Sequence, residues 1–118
     1  QRLYRKLCTS CKVELEPDKE LLQINNVPLD TFKGVRVYGP KGCPKCHNLG
    51  YSGRGSIMEV LTIDDEIRTA VLRQAISYEI RDIAVTKGMI TLLNAALTRV
   101  KEGITSLDVA LRTAGAGE

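Results

Sequence analysis

The chain has 118 residues, enough for one domain or for a piece of a larger protein. It is 43% hydrophobic but only 4% aromatic, with one Phe and no Trp, so any core is aliphatic and a cross-link such as a metal is useful at this size. The formal net charge of +3 is too small to argue for nucleic acid or an anionic membrane as partner, and no stretch has the length and apolarity of a signal peptide or a membrane-spanning helix.

The opening residues Gln1 to Leu7 carry no Met, no flexible leader and no cap, and read as an element cut from a longer protein. Leu3 and Leu7 lie four apart, which allows either a helical turn or the end of a strand. The first cysteine pair, Cys8-Thr9-Ser10-Cys11, follows directly, and the second, Cys43-Pro44-Lys45-Cys46, comes after 31 intervening residues. A Cys-x-x-Cys step lets two thiolates from one turn reach the same tetrahedral ion at roughly 2.3 Å. Two such steps supply the four ligands of a closed Zn²⁺ site: Cys8, Cys11, Cys43 and Cys46. With four protein thiolates no position remains for water, so such a metal holds structure and performs no hydrolysis.

Four bound thiolates around one Zn²⁺ carry −2, which lowers the +3 balance to about +1. Arg5, Lys6 and Lys12 flank the thiolates and suit compensation of that charge better than a ligand-binding patch. Two disulfides are the competing use of the cysteines and would imply an oxidising compartment; the paired spacing favours metal, and with it a cytoplasmic chain. The one histidine, His47, abuts Cys46 but is redundant as a ligand beside four thiolates.

Between the cysteine pairs, Asp18 is positioned to cap a short helix from about Lys19 to Ile24. Gly34-Val35-Arg36-Val37-Tyr38-Gly39 alternates between glycines and predicts a short strand, with Ser56 to Leu61 as its expected antiparallel partner. The glycines of Gly50-Tyr51-Ser52-Gly53-Arg54-Gly55 follow a cysteine pair instead of a strand and read as a turn with positive φ. From Asp64 onward the pattern is helical. Thr62-x-x-Asp65 predicts a capping box ahead of the stripe Ile67, Ala70, Val71 and Leu72. Ser77 is the expected cap of a second helix with Ile80, Ile83 and Ala84 inward, stopped by Gly88. A third helix, about Ile90 to Glu102, buries Leu93, Ala96, Leu97 and Val100. Thr105-x-x-Asp108 opens a fourth with Leu107, Ala110 and Leu111 inward.

The expected fold class is therefore α+β: a small Zn-knuckle and β-hairpin unit packed on a bundle of three to four helices. Residues 8–61 form the tetracysteine unit, 62–113 the helical part and 114–118 a flexible tail. No phosphate-binding Gly-x-x-x-x-Gly-Lys-[Ser/Thr] or dinucleotide-binding Gly-x-Gly-x-x-Gly after a strand is present, and no nucleophile–base pair stands out, so no catalytic residue and no catalysis is expected of this chain alone.

Several runs together resemble one family. Gly42-Cys43-Pro44-Lys45-Cys46-x-x-x-Gly50-Tyr51-x-Gly53-Arg54-x-x-Ile57-x-Glu59 is similar to the tetracysteine segment of the type II secretion and type IV pilus extension ATPases, the GspE/PilB family. Gln1-Arg2-Leu3-x-Arg5-x-Leu7-Cys8, Asp64-Asp65-x-Ile67-Arg68, Gly88-Met89-x-Thr91-Leu92 and Gly103-Ile104-Thr105-Ser106-Leu107-x-x-x-Leu111-Arg112 agree in the same order. The resemblance spans nearly the whole chain. It implies a module C-terminal to a RecA-like motor whose last residues are 1–7. The parent would be a cytoplasmic hexamer at the inner membrane that hydrolyses ATP with Mg²⁺ and drives a platform membrane protein to assemble pseudopilin or pilin. Retraction motors of the family lack the four cysteines, so their presence points to export or extension. Where many members have Arg-Glu-Asp-Gly after Thr-Leu, this chain has Leu93-Asn94-Ala95-Ala96, which suits a continuous helix since Ala exceeds Gly in helix propensity by about 1 kcal/mol.

The resemblance also suggests roles beyond the metal ligands. Gly42 and Pro44 shape the second cysteine turn. Arg54 and Glu59 are candidates for supporting the metal site or an interdomain contact, with a local salt bridge as the plainer alternative. Arg2 and Arg5 are candidates to reach nucleotide in the parent. The competing functional class is a zinc-ribbon-like nucleic-acid module using Lys12, Lys41, Lys45 and Arg54. The small charge, few aromatics and nearby Glu59, Asp64 and Asp65 speak against it, and no nucleic-acid partner is expected. A Cys-x-x-Cys redox protein, with a reducible disulfide, is the third possibility.

Overall fold

The computed structural model describes residues 1–115. The expected tail, 114–118, lies outside them from residue 116 onward. The architecture is α+β, with two small antiparallel ladders and five helices. The ladders are not the pair expected from the alternation. Strand β1 (Arg2–Leu7) pairs with β4 (Tyr51–Ile57), in the register Arg2↔Ile57, Tyr4↔Gly55 and Arg5↔Arg54, with a slip between Arg5 and Leu7. Strand β2 (Val13–Leu15) pairs with β3 (Val37–Gly39), Val13 opposite Gly39 and Leu15 opposite Val37. The expected hairpin between residues 34–39 and 56–61 is absent. Each cysteine pair is a reversal point shared by the two ladders: the first joins β1 to β2, the second joins β3 to β4. Bringing the turns together forces the strand before the first against the strand after the second. The glycine segment 50–55 accordingly lies largely within β4, although Gly50 and Gly53 do adopt φ of +81° and +80°.

Helix α1 (Lys19–Ile24) starts where expected, with the Asp18 carboxylate accepting from the Leu21 N–H at 3.1 Å. The caps expected at Thr62, Ser77 and Thr105 shift by one or two residues. For α2 (Asp65–Leu72) the cap is Asp64, whose Oδ1 accepts from Ile67 N–H at 2.9 Å, and not Thr62. For α3 (Ser77–Thr86) Ile76 stands at the cap without a side-chain bond, so Ser77 is already helical. Helix α4 (Leu92–Lys101) is capped by Thr91 and α5 (Leu107–Thr113) by Ser106. Thr105 is unavailable as a cap because its buried hydroxyl donates to the Arg5 carbonyl at 2.7 Å.

The core is aliphatic apart from Tyr4 and Phe32. Leu22, Val27 and Val37 from the inter-cysteine region meet Ile57, Ala96, Leu97, Val100, Leu107, Ala110 and Leu111. The helices pack in two pairs, α2 on α3 and α4 on α5, and the second pair carries the ladders. In the first pair Ile67, Ala70 and Ala84 are buried, but Val71 and Leu72, expected inward, are exposed. Ion pairs close it instead: Arg73 donates to both carboxylate oxygens of Glu79 at 2.8 and 3.2 Å, and Lys87 reaches Asp64 at 2.6 Å.

Candidate metal centre

The four cysteine side chains converge at the junction of the two ladders. Cys8 leaves the end of β1, and the N–H groups of Cys11 and Lys12 return to its carbonyl at 3.4 and 3.0 Å, which makes the first turn. The second turn is a short 3₁₀ segment, Pro44–Cys46, continued by His47 and Asn48 in left-handed backbone (φ 55° and 60°). All four sulfurs lie within 4.8 Å of one another. Cys8 to Cys43 is 3.7 Å, Cys11 to Cys46 is 3.8 Å and Cys43 to Cys46 is 3.7 Å. Four thiolates around an ion at about 2.3 Å define a tetrahedron with edges of about 3.8 Å, so the donor set fits a tetrahedral metal. All four are free cysteines, not disulfides, and no other cluster of His, Cys, Asp or Glu of this kind occurs among the described residues; His47 is outside it.

Backbone amides surround the sulfurs. Gly42 N–H donates to Cys11 Sγ at 3.4 Å, Cys43 N–H to Cys46 Sγ at 3.3 Å and Gly50 N–H to Cys46 Sγ at 3.2 Å. Burial on its own pushes the Cys46 thiol up, yet the Gly50 and Cys43 amides outweigh it and hold the group down at about 6. For Cys11 burial prevails over the Gly42 amide and the thiol is pushed up to about 11. Cys8 is lowered, chiefly by the N–H of Ser10. Thiolate is the form that binds metal, and the amides around Cys46 favour it.

Two of the three basic residues flanking the thiolates, Lys12 and Arg5, also make contacts of their own. Lys12 donates to the Gly103 carbonyl at 2.9 Å and lies over the Tyr38 ring at 4.6 Å. The Arg5 guanidinium stacks on Tyr51 at 4.3 Å. Tyr51 in turn shares a 2.8 Å hydrogen bond with Ser106, and Leu7 N–H donates to the Ile104 carbonyl at 2.8 Å. These contacts lock the cysteine turns to the α4–α5 pair. Sequence reasoning missed Lys12, Tyr38, Tyr51 and Ser106 as parts of one brace, since only the fold brings them together.

Arg54 and Glu59 do not form a local salt bridge. The Glu59 carboxylate accepts from Leu92 N–H at 3.0 Å, at the start of α4, while Arg54 is exposed directly across from Arg5. Arg2 donates to the Thr113 carbonyl at 3.0 Å, at the end of α5. None of the four contacts the sulfurs; Arg2, Arg5 and Glu59 tie the ladders to the helices, and Arg54 stays on the surface.

A two-ladder module with two Cys-x-x-Cys turns facing across one centre, braced on paired helices, is a tetracysteine structural domain. The sequence pattern of the family described as "Type II/IV secretion system protein" matches residues 1–112. The chain belongs to that family. It is 42% identical over 111 residues to the type IV pilus assembly ATPase PilB of Thermus thermophilus, covering 94% of this chain and 12% of that protein. It is 37% identical over 108 residues to PilB of Pseudomonas aeruginosa, covering 92% and 19%. To the type II secretion system ATPase E of Vibrio cholerae it is 36% identical over 118 residues, covering 95% and 22%. The chain thus spans between 12% and 22% of the length of these relatives. No helix of the described residues is long and apolar enough to cross a membrane.

Proposed function

We propose that the chain is the C-terminal zinc-binding module of a secretion or pilus-assembly ATPase. Cys8, Cys11, Cys43 and Cys46 hold one structural Zn²⁺, and residues 1–7 are the end of the RecA-like motor. The observation that carries the metal assignment is the sulfur quartet itself, with edges of 3.7 to 3.8 Å at three of its pairs. When bound, the ion supplies a cross-link between the two cysteine turns and, with four thiolates, no open position for chemistry. The amides of Gly42, Cys43 and Gly50 support the ligand sulfurs and stabilise their negative charge.

In this reading the parent is a cytoplasmic hexamer, peripheral at the inner membrane, in which ATP and Mg²⁺ bind the motor outside these 118 residues. The module has a structural and docking role toward neighbouring subunits, the platform membrane protein and other assembly components, and it couples hydrolysis to pseudopilus or pilus growth. The names of the relatives and the brace joining the cysteine turns to α4–α5 support it: a rigid unit suits transmission of force. Elemental analysis of purified protein tests the reading, with about one Zn per chain expected. A folded chain free of metal would refute the site. ATP hydrolysis by the 118-residue chain alone would refute its role as a module without a motor.

A further inference from the structure

One apolar surface has no covering among the described residues. After β4 ends at Ile57 the chain runs as an irregular strap to α2, and its side chains face outward: Met58 is 56% exposed, Val60 67% and Ile63 55%. Met58, Val60, Leu61 and Thr62 of the strap line a groove of about 580 Å³ along the base of the α2–α3 pair, with Ile67, Met89 and Ile90 on its apolar wall and the Asp64–Lys87 ion pair at its polar edge. Glu59 alone turns inward, to Leu92. Residues 59–63 make no backbone–backbone hydrogen bond among the described residues. An apolar, contiguous, unpaired stretch of this kind marks a binding surface.

The register of β1 and β4 indicates what reaches it. Arg2 lies opposite Ile57 in an antiparallel pair, so Gln1 comes level with Met58, and any residues joined before Gln1 run level with Glu59, Val60 and Leu61. The polypeptide entering β1 therefore arrives beside the free amides and carbonyls of the strap, with the apolar wall of the groove beneath it. Pairing there would extend the β1–β4 ladder past its present end and satisfy both the backbone groups and the apolar side chains.

We propose that the strap 58–63 and its groove are the seat of the segment immediately preceding Gln1 in the parent protein, an apolar stretch that continues β1 and docks the module onto the motor. This rests on the reading above, in which the motor precedes Gln1. It differs from a docking site for a second subunit or for the membrane platform, both of which the same apolar surface would otherwise suit.

The test uses the full-length parent. Met58 and Met89 are the only methionines among these 118 residues, so limited oxidation by hydrogen peroxide followed by peptide mass spectrometry reports directly on the groove. Met58 is expected to oxidise about tenfold more slowly than in the denatured protein, at all protein concentrations including those at which the hexamer dissociates, because oxidation follows exposure. Amide exchange over residues 59–63 is expected to slow by about a hundredfold or more relative to unstructured chain. Oxidation of Met58 at the denatured rate would overturn the proposal. So would protection that vanishes on dilution, which assigns the groove to a neighbouring subunit, or protection that appears only when the platform protein is added. If the parent carries no phosphate loop before Gln1 and hydrolyses no ATP, the motor reading fails by itself, whatever the footprint.

Discussion

Replacing Gly50 with Ala tests the link between backbone geometry and metal binding at one atom. Gly50 has φ +81°, where an L side chain costs about 1–2 kcal/mol. A Cβ there would also stand 2.4 Å from Pro40 Cβ and 3.1 Å from Pro40 Cα, neither of which can rotate away. Overpacking against rigid atoms adds about 1–3 kcal/mol, for a total of about 2–5 kcal/mol in a domain whose stability is of order 5–15 kcal/mol. The displacement falls on a residue whose N–H reaches Cys46 Sγ at 3.2 Å and whose carbonyl accepts from Cys8 N–H at 3.0 Å. Both cysteine turns are therefore disturbed together, and loss of such supporting bonds lowers metal affinity by about 10- to 100-fold. Urea unfolding at buffered free zinc gives the stability, and competition with a chromophoric chelator gives the affinity. Gly88→Ala is the control: its φ is +106° but nothing lies within 4 Å of the added carbon, so it carries backbone strain alone. If Gly50→Ala cost no more than Gly88→Ala and left zinc affinity unchanged, the coupling of Gly50 to the centre would be wrong.

Two further changes probe the helices. Glu59→Ala removes the acceptor at the start of α4 and is expected to cost about 1–2 kcal/mol in thermal melts, while Glu59→Gln, which keeps an oxygen there, loses less; equal melting of Glu59→Ala and wild type would show that the contact contributes nothing. Asp64 is held below its ordinary value of 3.8, first by the hydrogen bond from Lys87 and next by the Ile67 N–H. Its folded pKa is depressed, so its contribution is complete above the unfolded value and disappears as pH falls through the folded one. The stability gap between wild type and Asp64→Asn should be open at about pH 6 and close as pH drops below about 4, in paired urea titrations. A gap independent of pH would remove the ionised carboxylate from the account.

The four thiols and the helical half were readable because their signals are local. A Cys-x-x-Cys step and a 3.6-residue stripe are each complete within a few positions, and Asp18, Gly88 and Gly103 mark boundaries by their own backbone chemistry. Strand pairing was not local. Residues 34–39 and 51–57 offer alternation or glycines but no partner, and the partners β2 and β1 are short strands whose few residues show no clean period. The pairing follows only once the cysteine turns are set face to face, a constraint contained in the sequence but not applied to its flanks. Thr105 was misassigned as a cap for a related reason: its hydroxyl is drawn to the Arg5 carbonyl, a hundred residues away in the chain. The Lys12 contacts were hidden in the same way, since its ammonium reaches the Gly103 carbonyl and the Tyr38 face, far off in the chain.

That long reach bears on how the module can work. Lys12, Leu7, Arg5 and Tyr51 each bridge from the cysteine turns or the ladder beside them to residues 103–106, so these turns and the α4–α5 pair form one body. Helices α2 and α3 pack mainly on each other; the strap joins them to β4, residues 87–91 join them to α4, and the Glu59 carboxylate pins the strap itself to Leu92. The two helix pairs are thus joined through the strap and through residues 87–91, and the strap also presents unpaired backbone and apolar side chains. A segment seated on the strap would fix the angle between them, whereas the metal, on the far side of the β1–β4 ladder, would keep the cysteine body from yielding. Zinc removal should then loosen the turns without freeing α2–α3, and disruption of the strap should free α2–α3 without releasing zinc.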